Sequence, residues 1–438
     1  YIALNTTLPS SNIIWGTSSS EYLTSYGGDV TEGDDVFDSA GGNDKIMDIG
    51  GNDTLAIFSN KANFEIMTVA GITKIYGDTY VSGIGYAYYG DIIKTLSVES
   101  IAFTDQTITL DTIYPSGTAY IYWSHTAASE TITGSDEIDL FDGSGGNDTI
   151  NGKNGNDTLA IFSNKANFEI ITLAGLTKIY GGTYVSGLGS NYWGDTIRVN
   201  NVENIAFADQ TMNLEVAGIG GNYLFWGSTS GTTIDGTDGN DVIDSGGGSD
   251  YIHGDAGDDT LLLFATKDNF EIVTLSGLTK IYGLGATGLE GAYWADTIRM
   301  QDVETIMFAD QTITVDTSYL SNDSYYYWGS TSGQTYDAGD GNDVIDSGGG
   351  SDTIDGGTGD DTLLLFADRS TFDITVNGDT VTLVGNSSEG LAYVYWFYTI
   401  TMTNVETIMF ADQTVTVSDL TSSASANTNA NTTDDSTN

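Results

Sequence analysis

The sequence predicts an all-β protein of four tandem modules, on three observations. The first is internal repetition. GNDTLAIFSNKANFEI at 51–66 returns letter for letter at 155–170, DGNDVIDSGGGSD at 238–250 returns at 340–352, and WGSTSG at 226–231 returns at 328–333. Repetition at a long, nearly fixed period marks stacked supersecondary units. The second is a set of glycine-aspartate turns spaced nine residues apart. The third is the period-two alternation of Val, Ile, Thr, Tyr and Phe in FEIVTL, TKIYG and QTITV, which is the pattern of strand. No long helical pattern competes with it.

The last glycine-aspartate turn of each module begins at Gly51, Gly155, Gly257 and Gly359, giving periods of 104, 102 and 102 residues. Modules are therefore expected at 13–116, 117–219, 220–320 and 321–420. A segment at 1–12 precedes them, and a low-complexity polar tail at 421–438, with nothing to bury, is expected to be disordered. Each module opens near a tryptophan (Trp15, Trp123, Trp226, Trp328) and runs through three turns. Strand material follows, such as NFEIVTLSGLTKIYG at 269–283, then an aromatic pair with DTI, such as YWADTI at 293–298. The module closes on a stretch like VETIMFADQTITV at 303–315.

A chain of 438 residues fits two to four domains of roughly 100–200 residues each. Its 39% hydrophobic content supports a packed core, but its charge is extreme: 61 acidic against 12 basic residues, a net charge of −49. Such a surface repels nucleic acid and anionic lipid, so neither is an expected partner. It also repels itself, which implies a bound counter-charge. Acidic chains are often disordered, yet 26 Tyr, 16 Phe and 7 Trp point to a globular protein once neutralised. The absence of cysteine excludes disulfides and thiolate sites, and two histidines, His125 and His253, make zinc or copper improbable. There is no apolar run of transmembrane length. The start at Tyr1, without Met or a signal-like segment, is expected of a processed product or a segment of something longer.

The turns carry the chemistry. Gly33, Gly42 and Gly51 open those of the first module, Gly239, Gly248 and Gly257 those of the third, and Gly341, Gly350 and Gly359 those of the fourth. The second departs: Gly134 to Gly146 is twelve residues, then Gly155 follows after nine, which puts its first turn in doubt. Two residues after each turn aspartate stands an apolar one, such as Phe37, Ile46 and Leu55, or Ile243, Ile252 and Leu261. A nine-residue unit is a tight turn plus a short strand. Its apolar residue faces inward, its glycines supply the turn, and its aspartates stack at about the strand spacing of 4.7–4.9 Å. A hard dication bound by carboxylates and carbonyls turns that repulsion into a cross-link, and calcium, with 6–8 oxygen ligands, suits such turns. Plain Asp-Gly hairpins would not need the strict spacing.

GGTGDDTLL at 356–364 fits G-G-x-G-x-D-x-U-x at every fixed position, while most other copies lose the first or second glycine. This resembles the RTX (repeats-in-toxin) calcium-binding β-roll. VENIAFADQT at 202–211 is also similar to the strand segment that follows such repeats. The resemblance implies, in each module, a parallel β-roll segment continued by further strands, and an elongated solenoid-like rod of four such modules. It implies several Ca2+ ions held by Asp35, Asp44, Asp53, Asp136, Asp148, Asp157, Asp241, Asp250, Asp259, Asp343, Asp352 and Asp361. The adjacent glycines, Gly146 among them, would supply carbonyl oxygens. Sites form between turns on the same side of the coil, so three turns imply one complete site and further edge sites.

Other residues weigh less. Trp193 and Trp294, in the pairs Tyr192-Trp193 and Tyr293-Trp294, could stack on sugar rings, but packing between modules or at a coil end is the favoured reading. Glu99, Glu203, Glu304 and Glu406 are expected to make a hydrogen bond to a neighbouring turn rather than to bind metal. His125 and His253 are expected to be solvated. No nucleophile-elbow, zincin or P-loop motif exists, and everything informative occurs four times, whereas an active site is normally unique. The resulting expectation is a secreted, non-enzymatic, calcium-binding structural or adhesive protein of a bacterial surface, such as a surface-layer, filament or biofilm-matrix subunit. Self-assembly and surface polysaccharide are its candidate partners. The alternatives are a carbohydrate-binding array and the non-catalytic repeat region of a larger secreted hydrolase.

Overall fold

A computed structural model describes residues 13–24, 33–48, 50–80, 87–123, 128–214, 224–285, 288–318 and 326–420. The expectations for segment 1–12, for His125 and for the tail 421–438 lie outside the described residues. Ten strands make up the first module: β1 (Ile13–Trp15), β2 (Tyr22–Thr24), β3 (Val36–Asp38), β4 (Lys45–Met47), β5 (Thr54–Ala56), β6 (Phe64–Val69), β7 (Ile72–Gly77), β8 (Ile92–Leu96), β9 (Ser100–Ala102) and β10 (Thr107–Thr109). They form two five-stranded sheets, ordered β1-β3-β5-β9-β10 and β2-β4-β8-β7-β6.

The nine-residue spacing explains this order. One step carries the chain from one sheet to the other. Two steps return it one rung further along, so β3 pairs in parallel with β5, Val36 opposite Thr54. β1–β3, β5–β9, β2–β4 and β4–β8 are parallel as well. Only the hairpins β6–β7 and β9–β10 and the β7–β8 pair are antiparallel. The chain is thus a β-roll with a long hairpin inserted between two of its rungs. The same pair of sheets is built from the strands within 120–213, 224–314 and 326–416. Helical residues among those described are limited to short 3-10 turns and one turn at 417–420.

The core is the space between the two sheets. Phe37, Ile46 and Leu55 are fully buried there, as are Ile243, Ile252 and Leu261 and, in the fourth module, Ile345 and Leu363. Each such side chain removed from water contributes about 1.5–3 kcal/mol. That is how strands of three residues persist: the rung, not the single strand, is the stable unit.

The chain divides into two compact units, 1–218 and 219–438. Within the first, the tip of the β6–β7 hairpin packs on the following module: Val69, Ile72 and Leu96 share a core cluster with Leu140, Phe141, Ala160 and Phe162. Lys74 Nζ and Lys94 Nζ each lie 2.6 Å from the Asp142 carboxylate, and Lys74 Nζ sits 4.0 Å from the Phe162 ring centre. Within the second unit, Leu275 and Leu278 pack on Val344, Leu364, Phe366 and Leu391, and Lys280 Nζ lies 2.7 Å from Asp346 Oδ1. Glu65 accepts the Leu188 amide at 2.8 Å and Glu271 the Leu391 amide at 2.7 Å. Burial opposes ionisation of Asp142, but Lys74 and Lys94 outweigh it and hold the carboxyl below the usual range. Burial lowers Lys74 to about 8, which leaves it charged at neutral pH.

Candidate metal centre

The turn aspartates form rows along the two edges of each roll. On one edge, the first and third turns stack. Asp53 Oδ1 accepts the Asp35 amide at 2.7 Å, Asp259 that of Asp241 at 2.7 Å and Asp361 that of Asp343 at 2.8 Å. Each pair is 18 residues apart, one full coil. The row ends on a glutamate: Glu99, Glu203, Glu304 and Glu406 accept the amides of Asp53, Asp157, Asp259 and Asp361 at 2.7, 2.6, 2.8 and 2.8 Å. The four glutamates thus make the hydrogen bond expected of them.

On the other edge the second turn stands alone, and what flanks it was not read from the sequence. Asp44, Asp148, Asp250 and Asp352 accept the amides of Glu21, Glu130, Thr232 and Gln334 at 2.8–2.9 Å. In the last two modules that donor immediately follows the WGSTSG stretch, so this repeat is a further turn of the coil rather than only an aromatic opening. Beyond it, Asp91, Asp195 and Asp296 accept the amides of Gly42, Gly146 and Gly248 at 2.8, 2.9 and 2.8 Å. These are the aspartates of the DTI motif and its first-module counterpart. In the fourth module Tyr398 takes that place, and the Gly350 amide meets the Val394 carbonyl at 3.3 Å.

One position is corrected. Asp136 is exposed and, among the described residues, accepts a hydrogen bond from Asn154 Nδ2 at 3.2 Å. The buried aspartate of the first turn is Asp139, whose amide donates to Asp157 Oδ1 at 2.8 Å across 18 residues. The second module therefore has no insertion. Its turns keep the nine-residue step, and Glu137 stands where the others have Gly33, Gly239 and Gly341. Gly134 lies three residues before Glu137, outside the nine-residue series.

The remaining predicted residues, Asp35, Asp44, Asp53, Asp148, Asp157, Asp241, Asp250, Asp259, Asp343, Asp352 and Asp361, are all buried. Among the glycines, Gly51, Gly257 and Gly359 have φ of 113°, 149° and 143°. A Cβ on Gly257 would stand 2.7 Å from the Gly239 carbonyl oxygen of the preceding coil. Glycine lets the carbonyls of one turn face the carboxylates of the next.

These rows fit a hard cation. Each second- and third-turn aspartate gives Oδ1 to a backbone amide. The Oδ2 atoms of Asp44, Asp148, Asp157, Asp250, Asp259, Asp352 and Asp361 are buried without a hydrogen-bond partner among the described residues. Burial above all pushes Asp148, Asp157 and Asp250 up to about 7 and Asp259 and Asp352 to about 6. Asp53 rises to about 8 through burial and its contact with Asp48. Asp48 is a carboxylate the sequence reading missed. It stands where the other modules have Gly152, Gly254 and Gly356, and with Asp35 and Asp53 it forms a buried group whose oxygens lie within 4.8 Å of one another. Stacked buried carboxylates without counter-charge are costly. Calcium, with 6–8 oxygen ligands drawn from carboxylates and carbonyls, supplies that charge.

The family model described as RTX calcium-binding nonapeptide repeat (4 copies) matches residues 126–159, 226–261 and 328–363. The chain carries RTX calcium-binding nonapeptide repeats. The matched segments contain the RTX turns of the second, third and fourth modules. Those of the first module have the same strand pairing and hydrogen bonds but lie outside the match. No curated protein matches the chain. Among solved structures, the extracellular lipase LipA from Serratia marcescens is similar at 14% identity and a TM-score of 0.15, over 48% of this chain and 42% of the lipase. Less than half of the lipase is thus spanned, and so slight a likeness says nothing of function.

Around the RTX edges, the aromatic pairs split. Tyr88, Tyr192, Tyr293 and Tyr395 are buried, and their hydroxyls accept the amides of Phe58, Phe162, Phe264 and Phe366. The second members face solvent instead: Trp193 is 59% exposed and Trp294 62%. Of the expected packing between modules or at a coil end, neither indole is buried by a neighbouring module. Tyr184 meets Trp193 edge to face at 5.6 Å. His253 is half-buried and pairs with Asp302 at 3.1 Å, so it is not simply solvated. No helix among the described residues is long and apolar enough to cross a membrane.

Proposed function

We propose that this protein is a secreted structural or adhesive component of a bacterial surface, folded and stiffened by calcium, and not an enzyme. The observation that carries the reading is the repeated row of buried aspartates, whose second- and third-turn members in every module each have an Oδ2 with no hydrogen-bond partner among the described residues. The same arrangement recurs in every module, and an array of this kind favours cross-linking and rigidity over turnover. Ligands in this reading are Asp35, Asp44, Asp53, Asp139, Asp148, Asp157, Asp241, Asp250, Asp259, Asp343, Asp352 and Asp361, with carbonyls of the neighbouring turns. Calcium is plentiful outside the cell, so weak extracellular-type sites fill on export and draw folding with them. The test is circular dichroism and electron microscopy with calcium and after EGTA. Loss of strand signal on chelation, and extended particles or assemblies with calcium, are expected. Equal folding without bound ion removes the calcium role, and compact single particles under both conditions remove the structural one.

A second reading, carbohydrate binding, is favoured by the exposed Trp193 and Trp294, since flat aromatic faces in water suit sugar rings. A glycan screen of the parent and of a Trp193→Ala/Trp294→Ala variant separates the two. A parent that binds no glycan leaves only the structural role.

A further inference from the structure

Within each unit the two modules dock through one repeated device, and the first and fourth modules treat it differently. The outgoing half is the β6–β7 hairpin and the strand beside it. Its parts are Glu65, Val69, Ile72, Lys74 and Lys94 in the first module, and Glu271, Leu275, Leu278, Lys280 and Arg299 in the third. The incoming half is the outer face of the first sheet. In the second module Phe162 and Asp142 are fully buried there, and in the fourth Phe366 and Asp346 are.

At the fourth module every outgoing part is replaced: Asp373, Asn377, Thr380, Thr382 and Thr401 occupy the same places. The aliphatic tip has become polar and both cations are gone. At the first module the incoming face is intact, and no described residue covers its aromatic part. Phe58, the counterpart of Phe162 and Phe366, is 47% exposed, and Trp15 is 69% exposed, with Ile13 beside it at 45%. Asp38, the counterpart of Asp142 and Asp346, lies at the end of β3 beneath this face and is buried.

We propose that the face formed by Ile13, Trp15, Asp38 and Phe58 is a docking surface for another chain's module of the lysine-bearing kind, and that the fourth module is a cap that cannot serve as that partner. The occupant is defined by what covers the same face within each unit: an aliphatic hairpin tip set over the phenylalanine, with an ammonium on the aspartate. Two copies of this chain do not supply it end to end, because the end that would face Asp38 presents Asn377, Thr380, Thr382 and Thr401. A polar outer face of this kind keeps a repeat array from stacking further, and open stacking of unlike faces otherwise runs on into fibres. The inference goes beyond the surface role proposed above and does not depend on it.

The test gives the full chain the missing half. With calcium present, the parent is expected to sediment without end-to-end association. The N377L/T380L/T382K/T401R variant is expected to associate head to tail, and to bind labelled parent in a mixture. Parent carrying Phe58→Asp or Asp38→Lys should lose that binding by roughly 30-fold or more, as when one partner of a buried charge pair is removed. T382K/T401R alone, on a face already polar, serves if the fourfold variant misfolds. A variant that is folded by circular dichroism yet stays monomeric overturns the proposal. So does association that survives Phe58→Asp and Asp38→Lys, or a parent that already stacks through its fourth module.

Discussion

Two aspartates in the second module show how much rests on a single position. Asp136 has a glycine and a serine before it, as a glycine-aspartate turn would, yet it faces solvent; Asp139 follows Glu-Ile and is buried in the row. Asp136→Ala is expected to change stability by less than about 0.5 kcal/mol, as ordinary surface substitutions do. Asp139→Ala should lower the calcium-loaded unfolding free energy by roughly 2 kcal/mol or more and reduce bound calcium. Thermal unfolding with a calcium count on both variants checks this, and equal effects would restore Asp136 to the ligand set. The module's register was legible from the apolar residues Phe141, Ile150 and Leu159, all fully buried and spaced by nine. Only the glycine signal misled, because a turn tolerates Glu137 where its φ allows a side chain.

At the scale of an element, the closing strand β9 and its three counterparts do more than add a rung. The glutamate just before each of them caps the last aspartate of the roll. Glu203→Ala should leave the Asp157 amide unpaired at a cost of about 1–3 kcal/mol, while Glu203→Gln, which keeps an acceptor, should lose less. Amide exchange at Asp157 is the direct measurement, and unchanged protection in Glu203→Ala would show that the cap is idle. The inserted hairpin carries a sharper contrast. Asp142 is met by both Lys74 and Lys94, whereas the ion pair to Asp346 comes from Lys280. Lys280→Met should therefore destabilise by about 3–5 kcal/mol, the cost of a stranded buried charge, and Lys74→Met by less. Urea unfolding orders the two, and a Lys280→Met/Asp346→Leu double variant should regain most of the loss.

For the whole molecule, the acidic rows set how stability answers to pH. Without calcium, Asp148, Asp157 and Asp250 are held near 7 and Asp53 near 8, mainly by burial, against about 3.9 in an unfolded chain. A carboxyl raised in the fold binds its proton there more tightly than in the unfolded state. Its stabilisation is complete below about pH 4 and is lost as pH rises through about 7–8. The EGTA-treated protein should thus have its highest urea midpoint in mild acid and lose it towards pH 8. Calcium, which replaces the protons, should reverse that slope. A calcium-free midpoint flat from pH 5 to pH 8 would mean the rows are hydrated rather than buried.

The sequence alone determined the four-fold period, the strand content, the nine-residue step and the calcium chemistry. Each of these is local, set by side-chain alternation, glycine spacing and the company an aspartate keeps within one turn. Which turns meet was decided by the coil. Its 18-residue pitch puts the first and third aspartates in one row and sends the second to the far edge, beside the WGSTSG turn and the DTI aspartate. The contrast between the buried Tyr293 and the exposed Trp294, adjacent in sequence, was likewise decided by packing. So was the role of Lys280, an ordinary strand residue until the next module places Asp346 against it. Contacts across tens of residues depend on how rungs stack, and no spacing rule within a single module encodes them.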